Sequence, residues 1–215
     1  MNNLLGIVVS YIYIAIIIAL AKCFEKLGKE ASRKFIHIML GNWWLIAMYF
    51  FDNAIWASFV PATFVIINYV SYKKNLIKVM ERDENEKEGL GTVYYALSLF
   101  ILAVVTFGIL KKPELGLVSI FVMAYGDGLA AVIGKKVKSL KYKVGDTEKS
   151  IAGSLTMFIV SFIIISIYLV FANIALWWLK AIILSAIITI FEAVSIKGTD
   201  NITVPLGMLV MLLFL

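Results

Sequence analysis

The sequence predicts an all-α, polytopic transmembrane helical bundle, and three observations support that fold class. Hydrophobic residues make up 62% of the 215-residue chain, and its mean hydropathy of +0.94 is far above that of water-soluble domains. Apolar runs long enough for a helix to cross a bilayer, about 17 to 25 residues, recur along the whole sequence. The runs are continuous and do not alternate between apolar and polar residues, which excludes the pattern of a transmembrane β-barrel.

About seven spans are predicted, separated by polar or turn-forming segments. They cover residues 4–21, 35–51, 54–71, 91–110, 115–133, 151–171 and 175–194. The first has no small-residue cleavage site before its polar flank, so we expect a retained helix and not a signal peptide. Residues 203–215 are apolar but would form a helix of only about 20 Å, and we expect a short C-terminal element there. Because no repeat or linker divides the chain, residues 1–215 are expected to form a single integral-membrane domain.

The basic residues predict how the chain lies in the membrane. Seventeen of the twenty lysines and arginines fall between spans one and two, three and four, and five and six, or after span seven. The positive-inside rule makes that side the cytoplasm and places the N-terminus outside. The same distribution accounts for the net charge of +6 without a nucleic-acid partner. The single cysteine, Cys23, and the absence of zinc-ligand spacing give no support to disulfide or redox chemistry.

A small set of polar side chains lies in or next to the predicted spans, where an ionisable group is costly and usually functional. With the predicted orientation, all of them lie toward the cytoplasmic face, and we expect them to converge on one site. In chain order they are Arg33, Lys34, His37, Asp127, Lys149, Ser150, Glu192, Asp200 and Asn201. The competing interpretation of the basic residues is that they only anchor helix ends to lipid head groups.

The stretch AYGDGLAAVIGKK at residues 124–136 contains the most informative carboxylate, Asp127. Gly126, Ala130 and Gly134 recur every four residues, a spacing that lets a neighbouring helix approach closely. The segment GDGLAA superficially matches a dinucleotide-binding motif, but no strand precedes it. Carboxylates that can hold a hard divalent cation, together with lysines and an arginine that can bind phosphate, suit phosphoryl or nucleotidyl transfer.

Five sequence blocks resemble those of the CTP-dependent lipid kinases, the family of dolichol or polyprenol kinases, phytol kinases and fungal CTP-dependent diacylglycerol kinases. The blocks are SRKFIH at 32–37, GTVYY at 91–95, YGDGLAA at 125–131 followed by GKK at 134–136, EKSIAGS at 148–154, and Glu192 with Asp200, Asn201 and Pro205. The resemblance implies transfer of the γ-phosphate of CTP to a membrane isoprenoid alcohol, of polyprenol, dolichol, phytol or geranylgeraniol type. The active site would face the cytoplasm within the cell membrane, in contact with membrane lipids.

On this interpretation the candidate residues divide into three groups. Asp127 and His37 are the expected catalytic residues, and Asp127, Glu192 and Asp200 are the expected ligands of Mg²⁺. The remaining polar residues are expected to bind the nucleotide. They are Arg33, Lys34, Lys135, Lys149, Ser150 and Asn201.

Several alternatives stay open at this point. CTP:phosphatidate cytidylyltransferases share the general G-D-x-x-A-x-x-x-G-K pattern, although their long C-terminal signature is not found here. A diacylglycerol kinase would use the same chemistry on another lipid alcohol. A small transporter with Asp127 as an ion site is disfavoured, because polar groups do not spread through the membrane depth and no related halves occur. The sequence does not indicate an oligomeric state.

Overall fold

The computed structural model describes residues 2–74, 90–145 and 147–215. In these ranges the chain forms helical segments and one β-hairpin. The α-helices are α1 (Asn3–Phe24), α2 (Lys29–Phe50), α3 (Ala54–Lys74), α4 (Gly91–Ala103), α5 (Pro113–Phe121), α6 (Gly128–Lys136), α7 (Ile151–Phe171), α8 (Trp177–Val194) and α9 (Asp200–Leu212). The basic residues Lys78, Arg82 and Lys87, which the orientation prediction used, lie outside the described residues.

Two π-helical turns lengthen the central helices. The turn Val104–Ile109 continues α4, and the turn Val122–Asp127 joins α5 to α6 in one helix, Pro113–Lys136. A π-helical turn shifts the register of the helix and is frequent at functional sites. The second turn ends at Asp127, the carboxylate that the sequence singles out.

Within the described ranges, six helices are long and apolar enough to cross a membrane. They are Asn3–Phe24, Ala54–Lys74, Gly91–Ile109, Pro113–Lys136, Ile151–Phe171 and Trp177–Val194. Helix α2 has 22 residues and covers residues 35–50 of the predicted span 35–51, but charged residues such as Lys34 lower its hydropathy. The predicted C-terminal element is the 13-residue helix α9, which begins at Asp200. The chain is therefore an integral membrane protein with an all-α polytopic bundle, as predicted.

The bundle has a buried centre and a lipid-facing periphery. The apolar windows of Gly91–Ile109 and Pro113–Lys136 are 50% and 61% buried, whereas the other four spans are between 22% and 28% buried. The largest fully buried side chains include Trp43 and Trp44 on α2. Exposed apolar side chains on the peripheral helices form the surface that would face hydrocarbon.

A β-hairpin between α6 and α7 is the element that the sequence analysis did not predict. Strand β1 (Lys141–Val144) pairs antiparallel with β2 (Thr147–Ser150). Gly145 lies in the turn with a φ of +58°, which glycine adopts without steric cost. The short strand-like runs KYKV and TEKS on either side of a GD dipeptide are the signal that could have indicated it. Because β2 runs directly into α7, the hairpin places Lys149 two residues before the first residue of that helix.

Candidate active site

A buried ion pair between two helices forms the centre of the site. Lys34 Nζ on α2 donates to Asp127 Oδ2 at the end of the π-helical turn, at 2.5 Å. His37 lies one turn after Lys34 on α2, and its Nε2 is 3.2 Å from the same carboxylate oxygen. Each of these three side chains is less than a tenth exposed. A charged carboxylate and ammonium are thus held together inside the bundle.

The glycines around Asp127 explain why helices can approach it so closely. A Cβ on Gly128 would lie 2.5 Å from Ile38 Cγ1 on α2, and a Cβ on Gly126 would lie 2.5 Å from Met157 Sδ on α7. A Cβ on Gly134 would lie 2.5 Å from Ser150 Oγ. The predicted close packing along this helix is confirmed, and it involves α2 as well as α7.

A second buried ion pair ties the hairpin to the end of α8. Lys149 Nζ is 2.5 Å from Glu192 Oε1, and it also donates to the main-chain carbonyl of Glu192. Both side chains are about nine-tenths buried. Lys149 is in β2, two residues before α7, and Glu192 is in the last turn of α8. Residues 43 positions apart in sequence thus meet here.

The two ion pairs meet at a cluster of three carboxylates. Asp127, Glu192 and Asp200 each offer an oxygen, and these oxygens lie within 4.8 Å of one another. Three carboxylates so close repel one another unless cations balance them, and Lys34 and Lys149 supply part of that balance. Hard divalent cations such as Mg²⁺ bind carboxylate oxygens, so the donor set fits the predicted cofactor.

Asn201 lies beside this cluster, where the loop before α9 meets the start of α4. Its Nδ2 donates to the main-chain carbonyl of Gly91, at 2.9 Å. Because a carbonyl can only accept, this contact fixes the orientation of the amide and leaves Oδ1 on the other side. Gly198, with a φ of +80°, packs so closely on Gly91 that a Cβ there would lie 2.7 Å from Gly91 Cα.

Two buried polar atoms at the site have no hydrogen-bond partner among the described residues: Asn201 Oδ1 and His37 Nε2. The latter is near Asp127 Oδ2, but the contact is not aligned as a hydrogen bond. Buried polar atoms in proteins are nearly always paired, so an unpaired atom needs an explanation. Both unpaired atoms therefore belong to residues that line the same cavity.

Three of the predicted nucleotide-binding residues have described partners other than the three carboxylates. Arg33 Nη2 pairs with Glu30 Oε1 at 2.6 Å. Lys135 is mostly exposed, with its Nζ 3.7 Å from Glu30 Oε2. The Ser150 hydroxyl accepts from Gly153 N at 3.1 Å, so it caps the N-terminus of α7.

The sequence analysis did not identify two residues that organise the site. Tyr95 donates from its hydroxyl to the main-chain carbonyl of His37, at 2.8 Å, and its ring lies edge-on to the imidazole. Tyr95 belongs to the GTVYY block, so its place in that block was the available signal. Glu30 links Arg33 and Lys135, and its i, i+3 spacing to Arg33 was the corresponding signal.

A cavity of about 140 Å³ opens beside the cluster, between α1, α2, α3 and α4. Arg33, His37 and Asn201 line its polar end. The rest of its wall is largely apolar and includes Ile14, Trp43, Val60, Phe64 and Leu99. The site therefore consists of a charged cluster next to an apolar cavity inside the membrane bundle.

Comparison with known proteins agrees with these features. The chain is 31% identical over 205 residues to the phytol kinase of Synechocystis sp., covering 91% of this chain and 84% of that protein. It is 32% identical over 216 residues to phytol kinase 1, chloroplastic, of Arabidopsis thaliana, covering 88% of this chain and 69% of that protein. The chain belongs to the CTP-dependent lipid kinase family.

This kinase is accordingly a phosphotransferase with an alcohol acceptor. A probable phytol kinase 1, chloroplastic, of Glycine max is 29% identical over 222 residues, covering 91% of this chain and 72% of that protein. No family model and no solved structure matches the chain. The five blocks that suggested the family in the sequence include the residues of the carboxylate cluster and both buried ion pairs.

Proposed function

We propose that this lipid kinase transfers the γ-phosphate of CTP to the hydroxyl of a membrane isoprenoid alcohol, of phytol or geranylgeraniol type or of polyprenol or dolichol type. One observation carries the proposal: the cluster of Asp127, Glu192 and Asp200 lies next to His37 and Asn201, which line an apolar cavity inside the bundle. The names of the phytol kinase relatives support an isoprenoid alcohol of the phytol type as acceptor.

The acceptor binds in the cavity, with its chain among the apolar residues and its hydroxyl at the polar end. His37 Nε2, which has no hydrogen-bond partner among the described residues, meets that hydroxyl. The imidazole packs edge-on against the ring of Tyr95 and lies beside the Asp127 carboxylate. A lipid alcohol can thus bury its apolar chain and still present its oxygen to the carboxylate cluster.

The basic residues bind the triphosphate. Lys34 and Lys149 neutralise Asp127 and Glu192 in this structure, and their flexible ammonium groups can contact phosphate oxygens instead. Arg33 and Lys135 extend the positive charge toward the surface. Asn201 Oδ1, which has no hydrogen-bond partner among the described residues, accepts a hydrogen bond from the nucleotide. Ser150 contributes through the N-terminus of α7, which it caps.

Asp127, Glu192 and Asp200 would hold Mg²⁺, which offsets the negative charge of the transferring phosphoryl group. In the reaction, the alcohol oxygen forms a bond to the γ-phosphorus, and the bond from that phosphorus to the β–γ bridging oxygen breaks. CDP leaves with the electron pair of the broken bond. The proton of the hydroxyl passes to the neighbouring pair of His37 and Asp127, 3.2 Å apart.

The site is proposed to face the cytoplasm. The hairpin residues Lys141 and Lys143 and the loop residue Lys197 lie at the same end of the bundle as the carboxylate cluster. Positive charge concentrates on the cytoplasmic side of membrane proteins, and CTP would reach the site from that side. With this orientation the N-terminus is outside.

A labelling experiment with the purified protein tests the proposal. The protein in detergent, with Mg²⁺, receives CTP labelled at either the α- or the γ-phosphate, together with phytol, geranylgeraniol, a polyprenol or diacylglycerol. We expect γ-label, and no α-label, in the phosphate of an isoprenoid alcohol. Label from the α-phosphate in the lipid would instead identify a cytidylyltransferase. Transfer to diacylglycerol alone would contradict the proposed acceptor, and parallel assays with ATP and UTP test the choice of CTP.

A further inference from the structure

The cavity beside the active site is elongated along the helices that line it. On α2 its lining residues run from Arg33 to Trp43, which is about 15 Å at a rise of 1.5 Å per residue. On α4, which starts at the same end of the bundle, they run from Gly91 to Leu99. The polar end thus lies at the carboxylate cluster, and the cavity extends from there toward the middle of the bundle.

Hydrogen bonds between neighbouring helices hold the walls of the cavity in place. Tyr13 on α1 donates to the main-chain carbonyl of Met39 on α2, and the hydroxyls of Tyr11 on α1 and Thr63 on α3 are 2.8 Å apart. Asn68 on α3 donates to the main-chain carbonyl of Thr92 on α4, at 3.0 Å. The hydrogen bond from Tyr95 on α4 to the main-chain carbonyl of His37 links α4 to α2. These bonds hold the four helices around the cavity in fixed positions relative to one another.

The deep end of the cavity is closed by Trp43. Its side chain is 2% exposed, and it is the last residue of α2 along the cavity wall. Beyond it the bundle is fully packed, since Ala57 on α3 and Leu102 on α4 are completely buried and do not line the cavity. The indole Nε1 of Trp43 has no hydrogen-bond partner among the described residues, and the ring packs against Trp44 and Phe51.

We infer that Trp43 is the end wall of the binding site for the acceptor chain, and that its bulk limits the chain length from which the enzyme gains affinity. This inference rests on the proposed function, because it takes the occupant of the cavity to be the isoprenoid chain. Each methylene buried in an apolar site improves binding about fourfold. Binding affinity therefore increases with every carbon that fits between the polar end of the cavity and Trp43. Carbons beyond Trp43 add no further affinity.

Two neighbouring tryptophans provide a matched pair of variants. Trp43 and Trp44 are adjacent on α2 and both are fully buried, but only Trp43 lines the cavity. Trp44 instead donates from Nε1 to the main-chain carbonyl of Pro113, at 2.9 Å. Trp43→Phe therefore removes bulk from the cavity without breaking a hydrogen bond to a described residue, whereas Trp44→Phe breaks a hydrogen bond and leaves the cavity intact.

The experiment measures kcat/KM for alcohols of two, three, four and nine isoprene units, with CTP and Mg²⁺. In the wild type we expect kcat/KM to rise with chain length and then to level off. In Trp43→Phe the plateau should move to a longer alcohol, and the ratio of kcat/KM for four units over two should rise at least about fourfold. Trp44→Phe should keep the wild-type ratio even where it lowers the amount of folded protein, because a ratio does not depend on that amount.

A second variant with the opposite expected effect keeps the test decisive if Trp43→Phe does not fold. Ala96 on α4 lines the cavity between Tyr95 and Leu99, and Ala96→Leu should fill it and move the plateau to a shorter alcohol. Unchanged ratios in Trp43→Phe and Ala96→Leu, with an active wild type, would overturn the inference. Equal shifts in Trp43→Phe and Trp44→Phe would overturn it as well. A wild type that phosphorylates no isoprenoid alcohol would refute the proposed function instead.

Discussion

Lysine–carboxylate pairs occur in two very different settings in this protein. On the hairpin, Lys141 and Glu148 pair at 2.8 Å with side chains 61% and 52% exposed. Inside the bundle, Lys34 and Asp127 pair at 2.5 Å with side chains 5% and 8% exposed. The distances are similar, so the difference between the two pairs lies in the solvent around them.

That difference determines what each pair contributes. Water screens an exposed ion pair, so such a pair adds little to stability. A buried pair loses the hydration of both ions, and apolar residues of similar size often stabilise a protein as well or better. The Lys34–Asp127 and Lys149–Glu192 pairs are therefore poorly explained as stabilising contacts. Their charges are better explained by the chemistry of the site, where phosphate and a cation can take over as partners.

The largest expected effect is on activity. Asp127→Asn keeps the size of the side chain but removes a charge from both the carboxylate cluster and the pair with His37. We expect the rate of phosphate transfer to the lipid alcohol to fall by at least about 100-fold, as when a group that stabilises the transition state is lost. Asp52→Asn, at an exposed aspartate at the opposite end of α2, is the control and should keep full activity. An Asp127→Asn variant with wild-type activity would refute the assignment.

The next effect separates stability from function at the same pair. Lys34→Met alone leaves Asp127 buried without its ammonium partner, and breaking a buried pair in this way costs about 3–5 kcal/mol. Lys34→Met combined with Asp127→Asn removes both charges, so the free energy of unfolding should recover most of that loss. Thermal unfolding in detergent measures this recovery. The double variant should nevertheless be inactive, and an active double variant would show that the buried charges are not needed for catalysis.

The exposed pair provides the contrasting case for activity. Glu148→Gln removes the charge that faces Lys141 but touches none of the three clustered carboxylates. We expect kcat and KM to stay within about twofold of the wild type, because exposed ion pairs contribute little. A large loss of activity in this variant would mean that the hairpin takes part in the site beyond its placement of Lys149.

The smallest effect is a pKa shift at the hairpin. The hydrogen bond from Lys141 and its positive charge lower the pKa of Glu148 below its ordinary value of 4.5. The folded state thus favours the charged carboxylate, and the contribution of the pair to stability is present above that ordinary pKa and is lost as the pH falls through the lowered one. An NMR titration of Glu148 should show its pKa rising toward 4.5 in Lys141→Ala. An unchanged pKa would contradict the hydrogen bond.

The sequence predicted the fold well because a bilayer limits the possible structures. Apolar length decides where helices lie, so predicted spans such as 151–171 coincide with the observed helix Ile151–Phe171. The expected convergence of Lys34, Asp127 and Glu192 also holds, since helix ends on one side of a membrane lie near one another. The hairpin was not predicted because its two strands have only four residues each. They lie in a basic loop, which was interpreted only through its positive charge.

The contacts within the site could not be obtained from sequence alone. The predicted depth of a residue in the membrane indicates which face of the bilayer it is near. It does not indicate whether Lys34 or Arg33 is the partner of Asp127. In the structure, Lys34 pairs with Asp127 and Arg33 pairs with Glu30. The position of Trp43 at the end of the cavity depends on how the helices pack. The sequence shows only two adjacent tryptophans and does not indicate which of them lines a cavity.

Direct measurement of cation binding tests the central claim, that the three carboxylates form the metal–nucleotide site. Mn²⁺ prefers the same oxygen ligands as Mg²⁺ and can be followed by electron paramagnetic resonance. With CTP present, we expect the wild type and Glu148→Gln to bind Mn²⁺ equally, and Glu192→Gln and Asp200→Asn to bind it at least about tenfold more weakly. Equal Mn²⁺ affinity in all four proteins would contradict the account.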